Sequence, residues 1–268
     1  MAGTGNLMWV TATPTTPSIV SSGLKVYLNA GNSSSYPGSG TTWTDLSGNA
    51  ANGTLVASPA FTSSGAASYF TIAPTTNDVT IPSSATVLQN LTAFTFSYWV
   101  NLPNLTSDQI FYYKSDGDST SGIVLSLHIG TGSVAYLYLA VVAGGADIVR
   151  ALPIGSNITA NTWVNLSFIW DGTSQLASTT AIYLNGTDAS TIMTPATTQN
   201  GSGSHADDSF FTNHFGVANL GISYVSIGGT SVLNSNNMKL GKVMIYNRAL
   251  SSAEISQNFN ANRGDYGV

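Results

Sequence analysis

The feature that most constrains this fold is a strand that runs into a capped helix near the end of the chain, in the sequence MKLGKVMIYNRALSSAEISQNF at residues 238–259. Its first part is a short apolar run rich in Val, Ile and Tyr, which predicts a strand. Ser251 then predicts a helix N-cap, because Glu254 stands three residues later, where its side chain can reach back to the cap amide. Ile255 and Phe259 give the helix one apolar stripe to bury. We expect this strand to close a sheet and the short helix to cross an opening.

Short runs of alternating apolar and polar residues fill most of the remaining chain and predict strands that bury one face. Besides the closing strand at 239–246, we expect strands near residues 24–28, 69–72, 94–100, 122–129, 133–142, 163–170, 181–184 and 221–227. In the first, Leu24, Val26 and Leu28 should share the buried face. Asn185-Gly186 predicts a tight hairpin, because both residues tolerate positive φ. Many short strands and one C-terminal helix predict an all-β fold, a two-sheet antiparallel β-sandwich.

The charge of the chain excludes several classes of partner. Charged residues make up 7% of the sequence, against roughly 25% in ordinary soluble domains. The net charge is −5 and the seven Lys and Arg are scattered singly, so we expect no binding to nucleic acid or to anionic membranes. A surface made soluble by Ser, Thr, Asn and Gly favours an extracellular, adhesive or virion protein over a cytosolic enzyme.

The sequence lacks cysteine, a membrane-spanning run and a recognisable Sec-type signal peptide, and each of these excludes a class of site or location. The chain has no cysteine, which excludes disulfides, thiol catalysis and Cys-ligated zinc. No run approaches the roughly 20 apolar residues of a membrane span, so no membrane insertion is expected. The first residues do not show the pattern of a Sec-type signal peptide. We therefore expect a location on a virion or an extracellular surface, reached without such a signal.

The first 22 residues form a segment of different character from the rest. This segment contains a short apolar run, Leu7, Met8, Trp9 and Val10. The Pro, Thr and Ser residues after it favour an extended chain. We interpret residues 1–22 as an N-terminal arm preceding a single domain at 23–268. The arm either folds back on its own domain through Trp9 or docks on a neighbouring subunit.

Four stretches in order carry a family resemblance: GLKVYLNAGNSSSYPGSGTTWTDLSGNAANGTL at 23–55, AFTFSYWVNL at 93–102, TWVNLSFIWDG at 162–172 with IYLNG at 182–186, and GKVMIYNRALSSAEISQNF at 241–259. The chain resembles the concanavalin A-like, laminin-G-like jelly-roll domains from about Gly23 to Gly267. The Tyr-Pro-Gly and Asp-Leu-Ser-Gly-Asn pieces of the first stretch are most similar to variants found in bacteriophage structural proteins. The resemblance implies two curved antiparallel sheets. Members mostly bind glycans or proteins, often with calcium at a loop edge, and some hydrolyse polysaccharides; the fold alone does not choose among these activities.

The carboxylates of the sequence argue against the hydrolase branch. Glycoside hydrolysis needs two carboxylates that converge on one bond, and the family's hydrolases place Glu and Asp at alternate positions of one strand. The only glutamate, Glu254, is assigned to the helix cap. Asp116 and Asp118 alternate within a loop composition, and the adjacent Asp207 and Asp208 would point in opposite directions in an extended chain. We expect a protein that is not an enzyme.

A calcium site has two candidate positions. Asp116 and Asp118 resemble the start of a calcium loop, but the bidentate acid that would close such a loop is missing. Asp45, with Asn49 and Asn52, offers oxygens around a tight turn; the alternative is that these side chains hydrogen-bond to the backbone as Asx turns. Calcium is therefore a candidate cofactor, with Asp116 and Asp118 as its ligands.

The segment from Thr187 to Leu220 departs most from the family pattern, because more than thirty residues separate the predicted hairpin from the next predicted strand. Loops of this length are usually functional or disordered. The candidate glycan- or partner-binding residues in it are His205, Asp207, Asp208, Phe210, Phe211, Asn213, His214 and Phe215. Their rings either pin the loop to the sandwich or form a contact surface for a sugar or a protein.

These observations predict a non-enzymatic structural or attachment protein of a virus-like particle, such as a capsid decoration, tail or fibre component. Its partners would be other virion proteins or its own copies, contacted through the arm, together with host-surface glycans. The alternative is a stand-alone carbohydrate-binding module that uses calcium.

Overall fold

The structure, a computed structural model, describes residues 17–73, 77–115, 121–129, 133–143, 148–174, 177–193, 197–199, 213–215, 223–224, 231–232 and 237–268. Within them the strands are β1 Leu24–Asn29, β2 Thr42–Trp43, β3 Gly53–Val56, β4 Ala60–Thr62, β5 Tyr69–Ile72, β6 Asp78–Ile81, β7 Phe94–Asn101, β8 Gln109–Ser115, β9 Ser121–Ile129, β10 Ala135–Ala143, β11 Ile148–Pro153, β12 Trp163–Trp170, β13 Thr180–Leu184, β14 Thr187–Asp188, β15 Thr197–Gln199, β16 Asn213–Phe215, β17 Ser223–Tyr224, β18 Ser231–Val232 and β19 Met238–Tyr246. The α-helix of this part of the chain is α1, Ser252–Tyr266.

The described strands form two antiparallel sheets and a small additional pair. The eight-stranded sheet has the order β14-β13-β12-β7-β19-β5-β4, with β1 also paired to β19. The nine-stranded sheet has the order β15-β11-β10-β9-β8-β16-β6-β3-β2, and β17 pairs with β18 alone. The predicted all-β sandwich with a C-terminal helix is confirmed.

The space between the two sheets is filled by one continuous apolar cluster. Phe96 of β7 and Tyr112 of β8 join the sheets, with ring centroids 4.4 Å apart. Trp43 of β2 and Phe70 of β5 join them again, with centroids 4.8 Å apart. Each large apolar side chain buried in this way contributes roughly 1.5–3 kcal/mol. The interleaved rings make the sandwich a rigid platform for the loops at its ends.

The helix α1 lies on the outer face of the eight-stranded sheet, and the expectation that it crosses an opening is wrong. The reason is Trp99, which faces away from the inner core and must be buried elsewhere. Its ring stacks against Phe259 at 5.8 Å and against Tyr266 at 4.4 Å, and Trp99 is fully buried. The central strands of this sheet are therefore covered on both faces.

An ion pair between a buried lysine and a partly exposed aspartate attaches the last turns of α1 to β19. The Lys242 ammonium is 2% exposed, pairs with Asp265 and donates to the Asn262 side-chain oxygen at 2.8 Å. Burial lowers the pKa of Lys242, and the bond to Asp265 opposes that effect. Gly241 beside it permits the close packing, because a Cβ at this position would collide with the Tyr266 hydroxyl.

The N-terminus of α1 has the predicted capping box. The Ser251 hydroxyl accepts from the Glu254 amide at 3.3 Å, and a Glu254 carboxylate oxygen accepts from the Ser251 amide at 2.9 Å. Arg248 donates to both Glu254 oxygens, at 2.6 and 2.9 Å. The Arg248 bonds and the bonds from Ser251 lower the pKa of Glu254 from its ordinary value of 4.5 to about 2.

A β-bulge in β1 turns the Leu24 side chain to the face opposite the one predicted. The register with β19 shifts between Leu24 and Val26. Val26 and Leu28 lie in the inner core, whereas Leu24 packs with Tyr246 on the outer side. The prediction that all three apolar residues of this strand share one face is therefore wrong for Leu24, because the bulge adds one residue to the alternation.

The hairpin at Asn185-Gly186 is confirmed, with φ of 49° and 77° at the two turn residues. It joins β13 to β14, where Leu184 pairs with Thr187. The prediction that no further strand precedes residue 221 is wrong, because β15 pairs with β11 and β16 pairs with β6 and β8. Part of the expected long loop thus belongs to the nine-stranded sheet.

Residues 17–22, the described part of the predicted arm, pack on α1. The Val20 amide donates to the Asn258 side-chain oxygen at 2.8 Å, and the Tyr246 hydroxyl donates to the Val20 carbonyl at 3.0 Å. Gln257 donates to the Ser18 carbonyl at 2.7 Å. These bonds attach the end of the arm to its own domain. Residues 1–16 lie outside the described part of the chain.

In the part of the chain that the structure describes, no helix combines the length and the apolar character needed to span a membrane.

Glu254→Gln tests the contribution of the Glu254 charge, because glutamine can keep the capping-box hydrogen bond but cannot form an ion pair with Arg248. Removing the charge should cost about 1 kcal/mol of unfolding free energy near neutral pH. Because the folded-state pKa of about 2 lies below the ordinary value of 4.5, the carboxylate stabilises the fold above about pH 4.5, and this contribution is lost as the pH falls towards about 2. Urea unfolding from neutral to acid pH should therefore show wild type and variant converging. Parallel curves over that range would contradict the assignment.

Candidate functional site

Most residues selected from the sequence for binding lie outside the described part of the chain. These are His205, Asp207, Asp208, Phe210 and Phe211, the arm residues Leu7, Met8, Trp9 and Val10, and the candidate calcium ligands Asp116 and Asp118. Asn213, His214 and Phe215 form β16, in which His214 pairs with Thr80 on one side and Tyr113 on the other. The expectation that these three belong to a loop is wrong, because their backbone completes the nine-stranded sheet. Their binding role stays a prediction.

The described residues offer a different site at one end of the sandwich, around residues 82–92, which we call the rim segment. It joins β6 of the nine-stranded sheet to β7 of the eight-stranded sheet, so it crosses from one layer to the other. A 3-10 turn at Thr86–Leu88 lies at its middle. Leu88 and Leu91 are buried and anchor it, while Asn90 between them is exposed.

A buried lysine holds the rim segment from inside. Lys114 of β8 pairs with Ile123, an inner-facing residue of β9, and is itself fully buried. Its ammonium donates to the Leu88 carbonyl at 2.7 Å. A buried ammonium is costly unless it is hydrogen-bonded, so this contact fixes the rim segment relative to the nine-stranded sheet.

A polar groove of about 280 Å³, the Lys25 groove, lies on one side of the rim segment. It is lined by Lys25, Thr86, Val87, Gln89, Asn90, Leu91, Thr92 and Asn247. The lining draws on both ends of the chain, because β1 supplies Lys25 and the residue after β19 supplies Asn247. Amide and hydroxyl groups dominate it, and Lys25 is the charged residue among these described lining residues.

A second polar groove of about 370 Å³, the Thr54 groove, lies beside the first residues of the rim segment. It is lined by Thr42, Ala50, Asn52, Thr54, Pro82, Ser84 and Ala85. Both grooves are open to solvent and, apart from Lys25, present neutral side chains. They suit a ligand with many hydroxyls better than a charged or strongly apolar one.

The turn at residues 45–52 supports the Thr54 groove. Asp45 accepts from the Tyr27 and Ser47 amides with one oxygen, at 2.8 and 2.9 Å, and from the Ala51 amide with the other at 3.2 Å. The Asn52 side-chain oxygen accepts from the Asp45 amide at 2.9 Å. These bonds match the Asx-turn alternative, in which Asp45 organises backbone instead of holding calcium.

The charged groups elsewhere in the described residues do not gather into a metal site. Across the part of the chain that the structure describes, no three His, Cys, Asp or Glu side chains are grouped so as to hold a metal ion. Asp108 instead contacts His128 at 3.4 Å and accepts from the Ile129 amide at 2.6 Å. A calcium site at Asp116 and Asp118 lies outside the described residues and stays a prediction.

Comparison with known proteins assigns the family. The model of the family Laminin_G_3, described as concanavalin A-like lectin/glucanases superfamily, matches residues 73–256. The chain belongs to this family. The matched region includes the rim segment and the sandwich strands from β6 to β19. No curated protein sequence matches the chain.

Several solved structures share the fold of this concanavalin A-like domain. The receptor-binding domain of botulinum neurotoxin C/D mosaic serotype matches with TM-score 0.61 and 12% identity over 90% of this chain and 51% of that one. The binding domain of serotype G matches with TM-score 0.58 and 15% identity, covering 88% and 50%. The binding domain of Paraclostridial Mosquitocidal Protein 1 matches with TM-score 0.59 and 15% identity, covering 90% and 52%. The chain thus spans about half the length of these structures, and the likeness establishes the fold.

Sequence reasoning missed the rim segment because its residues are ordinary loop residues. The one signal that could have found it is Lys114, a charged residue at the end of the apolar run IFYYK. A lysine on the inner face of a strand needs a partner at the end of the sandwich. That partner is the carbonyl of Leu88 in the rim segment.

Lys114→Met tests whether the buried lysine fixes the rim segment. Losing the bond to the Leu88 carbonyl should lower the unfolding free energy by about 1–3 kcal/mol and accelerate amide hydrogen exchange in residues 83–91. The matched control Lys25→Met makes the same change at a partly exposed lysine and should stay within about 0.5 kcal/mol of wild type. Unchanged exchange in the rim segment of Lys114→Met would contradict this role.

Proposed function

We propose that this chain is a non-enzymatic attachment domain that binds glycans at its rim. The observation that carries the proposal is the pair of polar grooves lined by residues of the rim segment, in which neutral amide and hydroxyl groups predominate. Sugars present many hydroxyls, which pair with amide and hydroxyl side chains in shallow sites. A rigid sandwich holds those side chains in place, which reduces the entropy lost on binding.

The bonding of the described carboxylates supports a binding role over hydrolysis. Glu254, the only glutamate in the sequence, is committed to the helix cap and to Arg248. Asp265 pairs with Lys242 beside the helix, and Asp188 caps a short 3-10 turn by accepting from Ser190 at 2.9 Å. Asp45 accepts backbone amides in its turn. These groups hold backbone and helix in position, whereas hydrolysis requires two carboxylates facing one glycosidic bond.

The ligands of two structurally similar proteins support this proposal. Cell entry of botulinum neurotoxin type C depends on interaction with two ganglioside molecules. One of the matched structures shows the binding domain of Botulinum Neurotoxin DC in complex with SialylT. We propose that this chain also recognises glycans, and the proposal names saccharides as the ligand class without naming one sugar.

We further propose that this domain belongs to a virus-like particle, as a decoration, tail or fibre component that contacts a host surface. The low charge, the lack of cysteine and the apolar run at residues 7–10 support a place on such a particle. The arm would then be the element that docks on other particle proteins or on other copies of the chain. Since residues 17–22 pack on α1, the docking part would be residues 1–16.

A glycan array probed with the full chain, with calcium and with EDTA, tests the binding function. Asn247→Ala and Thr54→Ala, one in each groove, should each weaken binding to the sugars that score about 3–10-fold, since each removes a hydrogen bond worth about 1 kcal/mol. Asn260→Ala, an exposed asparagine on α1, is the matched control and should leave binding unchanged. Binding to no sugar would contradict the proposal, and binding abolished by EDTA would move the site from the rim to a calcium loop.

Deletion of residues 1–16 tests the docking role of the arm separately from sugar binding. The truncated chain should keep its unfolding midpoint, because the residues from 17 onward that bond to α1 are retained. It should lose self-association or incorporation into particles, measured by sedimentation and co-purification. Association equal to that of the full chain would remove the arm from the proposal and leave glycan binding untouched.

A further inference from the structure

A second surface with binding character lies on the outer face of the eight-stranded sheet, next to the last turn of α1. Trp163 of β12 pairs with Asn101 of β7, and Asn101 pairs with Lys239 of β19. Tyr69 lies on the neighbouring strand β5, on the same face. We call these four residues the aromatic patch. It is formed by four adjacent strands and lies away from the two rim grooves.

The two rings of the aromatic patch are open to solvent in part. The centroids of Tyr69 and Trp163 are 5.6 Å apart, and the rings meet at 62°. Both are partly exposed, although most of the aromatic rings in the described part of the chain are buried. Two inclined rings that are partly exposed to solvent form an apolar surface, against which the C–H face of a pyranose can stack.

Lys239 gives the patch a positive charge that the described residues do not neutralise. Its ammonium lies 5.3 Å from the centroid of the Tyr69 ring, and it forms no ion pair with a carboxylate of the described chain. The nearby Lys242 differs, because Asp265 and Asn262 already bind its ammonium. An acidic protein of net charge −5 thus presents a local positive charge beside two aromatic rings.

The third observation is a buried amide oxygen without a partner. Asn101 is 3% exposed, and its side-chain oxygen makes no hydrogen bond. The Trp99 indole nitrogen and the Tyr266 hydroxyl, which belong to the adjacent ring stack, also lack partners. Buried polar atoms are nearly always satisfied, because an unsatisfied one costs free energy. Three of them in one corner of the sheet mark a place where an outside group can complete the bonding.

We propose that the aromatic patch is a second saccharide site, specific for a sugar that carries a carboxylate. The pyranose ring stacks on Trp163 and Tyr69, and its carboxylate pairs with the Lys239 ammonium. A ring hydroxyl donates to the Asn101 side-chain oxygen as the two rings separate to admit it. This site is independent of the rim grooves, which carry neutral polar groups and Lys25.

Isothermal titration of the full chain with sialyllactose and with trigalacturonate, each against its neutral counterpart, tests this site. The acidic sugars should bind more tightly than lactose and α-1,4-galactotriose, and the difference should shrink as salt rises from about 0.05 M to about 0.5 M. Lys239→Gln should weaken acidic-sugar binding about tenfold, the loss of one charge-assisted hydrogen bond. Tyr69→Leu should weaken it to a similar extent, and Lys239→Arg should retain most of the affinity.

The controls separate this site from the rim. In a Lys25→Gln background, which lacks the positive charge of the Lys25 groove, Lys239→Gln should still weaken acidic-sugar binding about tenfold. Equal unfolding midpoints of Lys239→Gln and wild type would show that the fold is intact. Acidic and neutral sugars binding equally, or acidic binding unaffected by Lys239→Gln, would overturn the aromatic patch. If Asn247→Ala weakened the binding of every sugar and Lys239→Gln weakened none, the proposed site at the aromatic patch would be refuted. Glycan binding at the rim would remain supported.

Discussion

The last strand, β19, is buried on both faces, and the rest of the structure depends on this burial. All of its residues except Lys239 are buried, and it pairs with β1, β5 and β7. Its inner face joins the core between the sheets, and its outer face is covered by α1 and by residues 17–22. A shift of register between Leu240 and Lys242 lets the strand pair with β7 along its length while β5 and β1 share its other edge. One strand thus connects the chain start, the sheet centre and the helix.

The structural features that the sequence predicts correctly are local ones, formed by residues that are close together in the chain. The capping box of Ser251 and Glu254 and the Asn185-Gly186 turn are local signals, and the structure has both. Among the strands that sequence reasoning missed, β8 and β11 carry inner-facing polar residues whose partners are distant. Lys114 of β8 bonds to the Leu88 carbonyl, and Arg150 of β11 donates to the Thr180 hydroxyl of the other sheet at 3.0 Å. Such residues read as exposed until tertiary contacts satisfy them.

The same distinction explains why neither candidate site was visible in the sequence. The Lys25 groove combines β1, the rim segment and the residue after β19, and the aromatic patch combines β5, β7, β12 and β19. Each strand contributes one or two side chains of common type, so no local motif marks the site. The sequence-selected residues from His205 to Phe215 stood out by composition, yet the described part of that segment is a strand within a sheet. In this fold, function is assembled across strands by the register of the sheets.

Native-state hydrogen exchange on the full chain tests most directly whether β19 holds the scaffold together. If its double burial is the central constraint, the amides of Val243–Ile245 exchange only through global unfolding, and their opening free energy equals the total unfolding free energy from denaturant melts. The rim segment should exchange through smaller local openings. Amides of β19 that exchange through local opening, while the nine-stranded sheet stays protected, would contradict the account.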